Sequence, residues 1–313
     1  MNPPLQNRVT EILGVDYPIV QAPMGYIARA QLASAVSEAG ALGIIETSSG
    51  QLDDVRLEIT KMRDLTDKPF GVNIAQMLVR DLSIVDFVHD NGVRFVTTSA
   101  GDPSRYTDAL HAAGITVFHV VPNLRAALKA VAAGVDGIVA EGGEGGGFKN
   151  SRDVASMVLL PLVCSKVDVP VIAAGGITDG RSMAAAFALG AEGVQMGTRM
   201  VSAAESPVHE HYKQLIVDSA ETGTVMLNRF HKPGFRVLAT DFSEAREQSG
   251  EQVAMPGLDG LLRLYFEGDL DAAFAFGGQV AGRIEGVVPV AQIVDETIAE
   301  FRETIAELAD RYA

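Results

Sequence analysis

The chain has 313 residues, of which 47% are hydrophobic and 21% charged, enough for one large α/β domain with an appendage. Its formal net charge is −15 and its pI about 4.8, an acidic surface that repels phosphate backbones and speaks against nucleic acid as a partner. The single cysteine, Cys164, rules out an intrachain disulfide and suits a reducing cytoplasm; no signal-peptide core and no apolar run of about 18 residues points to export or to a membrane.

From Pro18 onward one pattern recurs: a short β-branched or apolar run, a turn of small residues, then an amphipathic stretch. Strands are expected at PIVQAP (18–23), LGIIET (42–47), PFGVNI (69–74), RFVTTS (94–99), TVFHVV (116–121), DGIVAE (136–141), PVIAAG (170–175) and GVQMGT (193–198). Between them RAQLASAVSEAG, PSRYTDALHAAG, LRAALKAVAAG and GRSMAAAFALG read as helices, each closed by glycine. Eight such units predict an α/β fold, a (β/α)8 TIM barrel, with an open doubly wound sheet as the alternative. SPVHEHYKQLIVDSAE reads as the closing helix. From 220 to 285 the rhythm lapses, and this stretch is expected to form a small helical lid subdomain inserted after strand 8. Residues 1–219 and 286–313, ending in a long amphipathic helix, would then form the barrel.

A barrel of this kind works at the C-terminal ends of its strands. After the seventh and eighth strands, Gly175, Gly176, Gly197 and Thr198 open helix-like segments. Close backbone approach and helix N-termini suit them to a phosphate. After the sixth strand, six glycines fall within Gly137–Gly147, giving the backbone room beside a flat ligand. Glu141 and Glu144 there are expected to bond sugar or backbone groups. Candidate proton-handling groups are His119, Lys149 and Tyr26. Arg229, His231, Lys232 and Arg236 place four cations in eight residues of an acidic chain, an anion-binding entrance for a nucleotide or acyl-CoA. Metal-ligand spacings, a GxSxG elbow and a Walker loop are absent from the sequence.

The ordered set YPIVQAPMG, DKPFGVNI, VTTSAGDPS, HVVPN, VAEGGEGGG, VPVIAAGGITDGRS, GVQMGTRM, ESPVHEHYKQ and GGQVAG resembles the nitronate monooxygenase (2-nitropropane dioxygenase-like) and type II enoyl-acyl-carrier-protein reductase flavoproteins. The resemblance implies a barrel with FMN at its mouth. The implied FMN contacts are Ala22, Pro23, Met24, Asn73, Glu141, Gly146, Gly147, Gly175, Gly176, Gln195, Gly197, Thr198, Gly278 and Gln279. The family's usual loop reads EGxEAGGH, its histidine serving as base in the monooxygenases. Here Gly145 stands at the alanine and Phe148 at the histidine. Phenylalanine exchanges no proton, so the departure favours an apolar substrate beside Phe148, with Arg229 and His231 as further substrate contacts. The expected activity is FMN-dependent hydride transfer with an apolar acidic or acyl-CoA substrate, as in bacterial steroid-ring breakdown, with NAD(P)H as a candidate co-substrate. Enoyl-thioester or quinone reductase, nitronate monooxygenase and a non-catalytic FMN or phosphate-ligand binder stay open, as does a homodimer.

Overall fold

The computed structural model describes residues 2–48, 52–79, 82–150 and 152–312. All eight expected strands form: β1 (Ile19–Gln21), β2 (Gly43–Glu46), β3 (Phe70–Ala75), β4 (Phe95–Ser99), β5 (Thr116–Val121), β6 (Gly137–Glu141), then, after a short outlying strand β7 (Gly147–Lys149), β8 (Val171–Ala174) and β9 (Gly193–Met196). They pair in parallel in the order β1-β9-β8-β6-β5-β4-β3-β2. The ring closes where Leu42 N donates to Ile19 O (2.9 Å) and Gln21 N to Leu42 O (3.0 Å). The chain is a TIM barrel, as expected from eight consecutive βα units.

Alternation along the strands separates two apolar layers. Val20, Leu42, Ile44, Phe95, Phe118, Val139 and Ile172 fill the barrel. Their neighbours, such as Val72, Val96, Val117, Ile138 and Val194, pack outward against the helices. The bottom is plugged by the helix Arg8–Leu13, whose Val9 and Leu13 join the inner cluster. Asn7 caps this helix through Thr10 N and anchors it by donating from Nδ2 to Glu192 O (2.6 Å). The long helix Val290–Tyr312 buries Val290, Ile293, Val294, Thr297, Ile298 and Phe301 at helical spacing. It lies so close to the helix Gly180–Ala188 that a Cβ on Gly180 would stand 2.2 Å from Phe301 N.

The segment 220–285 holds helices, among them Asp241–Ser249 and Leu258–Leu262, but it is not wholly helical. β10 (Thr224–Leu227) and β11 (Gly234–Leu238) form an antiparallel hairpin. β7 adds to its edge, pairing Gly234 with Lys149 and Phe235 with Phe148. Alternating TVML and GFRVL bury Val225, Leu227, Phe235 and Val237 on one face, which favours strand over helix. The hairpin thereby joins the inserted segment to the loop after β6 at the barrel mouth. No helix among the described residues is long and apolar enough to cross a membrane.

Candidate active site at the barrel mouth

The same alternation decides which side chains face the mouth. Asn73, Thr97, Glu141 and Gln195 each sit two residues beyond an inward-facing position and point inward. Asn73 is fixed by donating from Nδ2 to Thr97 Oγ1 (2.9 Å) and Thr97 O (3.2 Å). Gln195 is 7% exposed, and its Oε1 has no hydrogen-bond partner among the described residues. An unsatisfied buried amide costs about 1–3 kcal/mol, which a bound ligand would relieve.

The glycines of the mouth fall into two sets. Cβ atoms on Gly146, Gly175 and Gly278 would strike backbone: 2.6 Å from Gly277 C, 2.8 Å from Gly142 O and 2.7 Å from Glu144 O. These three make the seam where the β6 loop meets the β8 loop and the inserted segment. Gln279 N and Gly278 N lock that seam, donating to Glu144 O (2.9 Å) and Thr198 Oγ1 (2.9 Å); the Gln279 residue is exposed. Gly147 faces open space instead, while a Cβ on Gly176 or Gly197 would only touch side chains at contact distance, 3.6 Å from Glu144 Oε1 and 3.5 Å from Ala22 Cβ. Ala22 lies against Gly197, with Pro23 and Met24 following, all three half-buried.

The helix Gly180–Ala188 does not offer a free N-terminus. Ser182 N donates to Asp179 Oδ1 (2.8 Å) and Gly180 N to Glu300 Oε2 (2.8 Å), so carboxylates of this chain already hold it. Backbone N–H groups of Gly176 and Ile177, by contrast, donate to no acceptor among the described residues.

Lys149 is not a solvated loop residue. Its side chain is 4% exposed and its ammonium is ion-paired to Glu141 at the end of β6. Glu144, as expected of a backbone-bonding acid, accepts from Ser156 N (2.9 Å). Phe148, 39% exposed, lines one small cleft with Glu141 and Lys149. It stacks on Phe276 at 6.5 Å and meets Phe235 edge-on at 5.4 Å. The three rings form an apolar wall. Phe276 carried no signal of its own, because only the folded chain brings it to Phe148.

Tyr26 adopts φ 62°, a left-handed conformation rare for an aromatic residue. Its N–H donates to Glu46 Oε1 (3.2 Å), and the Arg29 guanidinium binds the same oxygen (2.9 Å) while lying 5.7 Å over the Tyr26 ring. Burial, then the Glu46 charge, pushes the Tyr26 phenol upward, so it stays protonated. Glu46, 1% exposed, is a mouth residue that sequence reasoning passed over. The signal was there: a carboxylate closing the apolar run GIIE.

Two expectations need correcting. His119 does not face the mouth. Phe118 and Val120 point inward, so His119 points out toward the helices, with Thr98 Oγ1 2.7 Å from its Nδ1. Burial pushes its pKa down to about 4, which keeps it neutral. Arg236 is not a free cation of the entrance. It donates from Nε to Gly143 O (2.9 Å) and lies 3.5 Å from Asp153, clamping β11 to the β6 loop. Arg229, His231 and Lys232 remain exposed at the hairpin turn. No cluster of three or more metal-ligating side chains occurs among the described residues.

Comparison with known proteins agrees with this geometry. Residues 6–81 and 75–300 match the family described as nitronate monooxygenase. The chain is 38% identical over 246 residues to the (3aS,4S,5R,7aS)-5-hydroxy-7a-methyl-1-oxo-octahydro-1H-indene-4-carboxyl-CoA dehydrogenase of Mycobacterium tuberculosis, covering 78% of this chain and 69% of that protein. It is 30% identical over 349 residues to a nitronate monooxygenase of Paraburkholderia phytofirmans, covering 95% of each. FabK from Thermotoga maritima superposes with a TM-score of 0.92 at 40% identity, covering 98% of this chain and 99% of that one. Nitroalkane oxidase from Streptomyces ansochromogenes does so with a TM-score of 0.82 at 27% identity, covering 96% and 99%. The chain belongs to the nitronate monooxygenase family and is an oxidoreductase.

Proposed function

We propose that this enzyme binds FMN at the barrel mouth and transfers a hydride between it and an apolar acyl thioester or related acid. The orphaned Gln195 amide at the end of β9 carries the reading, supported by the unused N–H groups of Gly176 and Ile177 after β8 and the open side of Gly147 after β6. A flat ligand with a phosphate tail fits that donor set. Ala22–Met24, Asn73, Gln195, Gly147, Gly176, Gly197 and Thr198 would hold it. When bound, FMN supplies the centre that gives or accepts the hydride.

The chain's own groups do the rest. Phe148, backed by the buried Phe235 and the half-buried Phe276, orients an apolar substrate and excludes water. Lys149, freed from Glu141, would hold a carbonyl or carboxylate oxygen as negative charge builds on it. Tyr26, kept protonated, is a second donor at the rim. Phe148 offers no base, so nitronate oxidation by a base at that position is disfavoured. The Mycobacterium tuberculosis relative, a dehydrogenase of a carboxyl-CoA compound by name, supports a thioester substrate here.

The test is anaerobic. FMN-loaded protein is mixed separately with NADPH, NADH, an alicyclic hydroxyacyl-CoA and a nitronate. Bleaching by a nicotinamide followed by recovery with an enoyl-CoA marks the reductase direction; bleaching by the hydroxyacyl-CoA marks the dehydrogenase direction. Bleaching by the nitronate alone overturns the thioester reading.

A further inference from the structure

The turn between β10 and β11 exposes Arg229, His231 and Lys232 around Phe230, which is itself 91% exposed. Leaving a phenylalanine in water forgoes about 1.5–3 kcal/mol of burial. The backbone beneath these side chains is nonetheless well built. Asn228, 6% exposed, donates from Nδ2 to Pro233 O (2.7 Å) and Val253 O (2.9 Å) and accepts from Val253 N (2.7 Å). His231 N donates to Asn228 O (2.9 Å), and Gln252 Nε2 reaches Lys232 O (3.3 Å). The turn is thus held from inside while its ring and cations face out. Its strand continues directly into the mouth, since Gly234 pairs with Lys149 and Phe235 with Phe148.

We propose that this turn binds the adenosine 3′-phosphate 5′-diphosphate end of a coenzyme A thioester whose acyl group lies against Phe148. The inference rests on the thioester reading above. Phe230 offers a face on which a purine stacks, a contact worth about 1–3 kcal/mol per base. Arg229 and Lys232 meet the phosphates, Arg as a planar fork and Lys as a point charge. From Phe230 to Phe235 the chain spans at most about 17 Å, a distance an extended pantetheine arm crosses. The acidic chain also chooses between partners. A carrier protein, itself acidic, would meet the net charge of −15 around the turn. A small nucleotide stays within about 8–10 Å of the cations, inside one screening length.

Phe230→Ala and the double variant Arg229→Ala/Lys232→Ala test this. Each is assayed as FMN-loaded protein with one acyl group carried on coenzyme A, on a carrier protein or on N-acetylcysteamine, which lacks the nucleotide. The expected result is a KM for the coenzyme A ester raised about tenfold at unchanged kcat, with no change for the short ester. Adenosine 3′,5′-bisphosphate should compete with the coenzyme A ester on wild-type protein, more weakly at high salt, and not on the variants. Variants with an unchanged KM for the coenzyme A ester, or an equal rise for the coenzyme A and short esters, overturn the turn as the site. So does a loss confined to a carrier-protein ester. Wild-type protein that turns over none of the three esters defeats the thioester reading and the proposal with it.

Discussion

Lys149 folds back onto Glu141, and Gly145 makes the room for it. A Cβ at position 145 would stand 2.8 Å from the Lys149 ammonium nitrogen and 2.9 Å from Glu141 Oε1. The two departures of this loop, glycine at 145 and phenylalanine at 148, therefore belong with the lysine that follows them. Lys149→Met should lower kcat/KM for a thioester about a hundredfold, the scale of losing one oxyanion donor. Gly145→Ala, which displaces the ammonium without removing it, should lower it about tenfold in the same direction. Steady-state kinetics on variants with wild-type melting temperatures checks this; values within twofold of wild type would mean the pair is only structural.

The aromatic wall predicts a size-dependent effect. Phe148→Ala removes the exposed face of a ring packed on Phe276 and Phe235. KM for a bulky alicyclic substrate should rise about fivefold to tenfold, the worth of a lost apolar contact of 1–1.5 kcal/mol, with small substrates unaffected. A uniform rise across substrate sizes would count against the wall as a specificity element.

The two glycine sets should separate in experiment. Gly176 has φ +82°, a backbone conformation that L side chains rarely adopt, so Gly176→Ala should weaken FMN binding by about tenfold or more by straining its N–H out of place. Gly146→Ala strikes backbone at the seam, 2.6 Å from Gly277 C, and should lower the melting temperature by about 5 °C through overpacking. Flavin fluorescence titration and thermal melts of both variants decide the matter, the contrary result being the same phenotype for each.

His119 makes a stability prediction with a definite sign. Its pKa is about 4 in the fold, held down by burial, against 6.5 for a free imidazole. The unfolded chain therefore binds its proton first, and stability present above pH 6.5 is lost as the pH falls toward 4. Between pH 7.5 and pH 5 the loss from this residue is about 2 kcal/mol. His119→Gln should flatten that part of the urea-unfolding profile while the pH profile of turnover stays as in wild type. A shifted turnover profile would return His119 to the chemistry.

The barrel was legible because each of its strands is an apolar, β-branched run set in a regular βα rhythm. The hairpin β10–β11 was hidden by being antiparallel and outside that rhythm. β7, only Gly147-Phe148-Lys149, has no strand signal until β11 is beside it. His119 was misplaced for a related reason. Its neighbours Val117, Phe118, Val120 and Val121 are all apolar, so the strand shows no polar face to mark which side is inward. Arg236 looked like one of four loop cations, whereas strand geometry turns it onto Gly143 and Asp153. The glycine-rich loop announced close approach but not to what. Whether a glycine meets a ligand or another backbone depends on Gly277 and Gly278, far along the chain.

Every role proposed above depends on a flavin held at the mouth of this barrel. The most direct measurement is the absorbance and fluorescence of the purified chain as isolated and after titration with FMN, followed by desalting. A flavin site requires a yellow protein, or a colourless one that takes up one FMN per chain with quenched fluorescence and retains it. A chain that is colourless and leaves the spectrum of added FMN unchanged would contradict it.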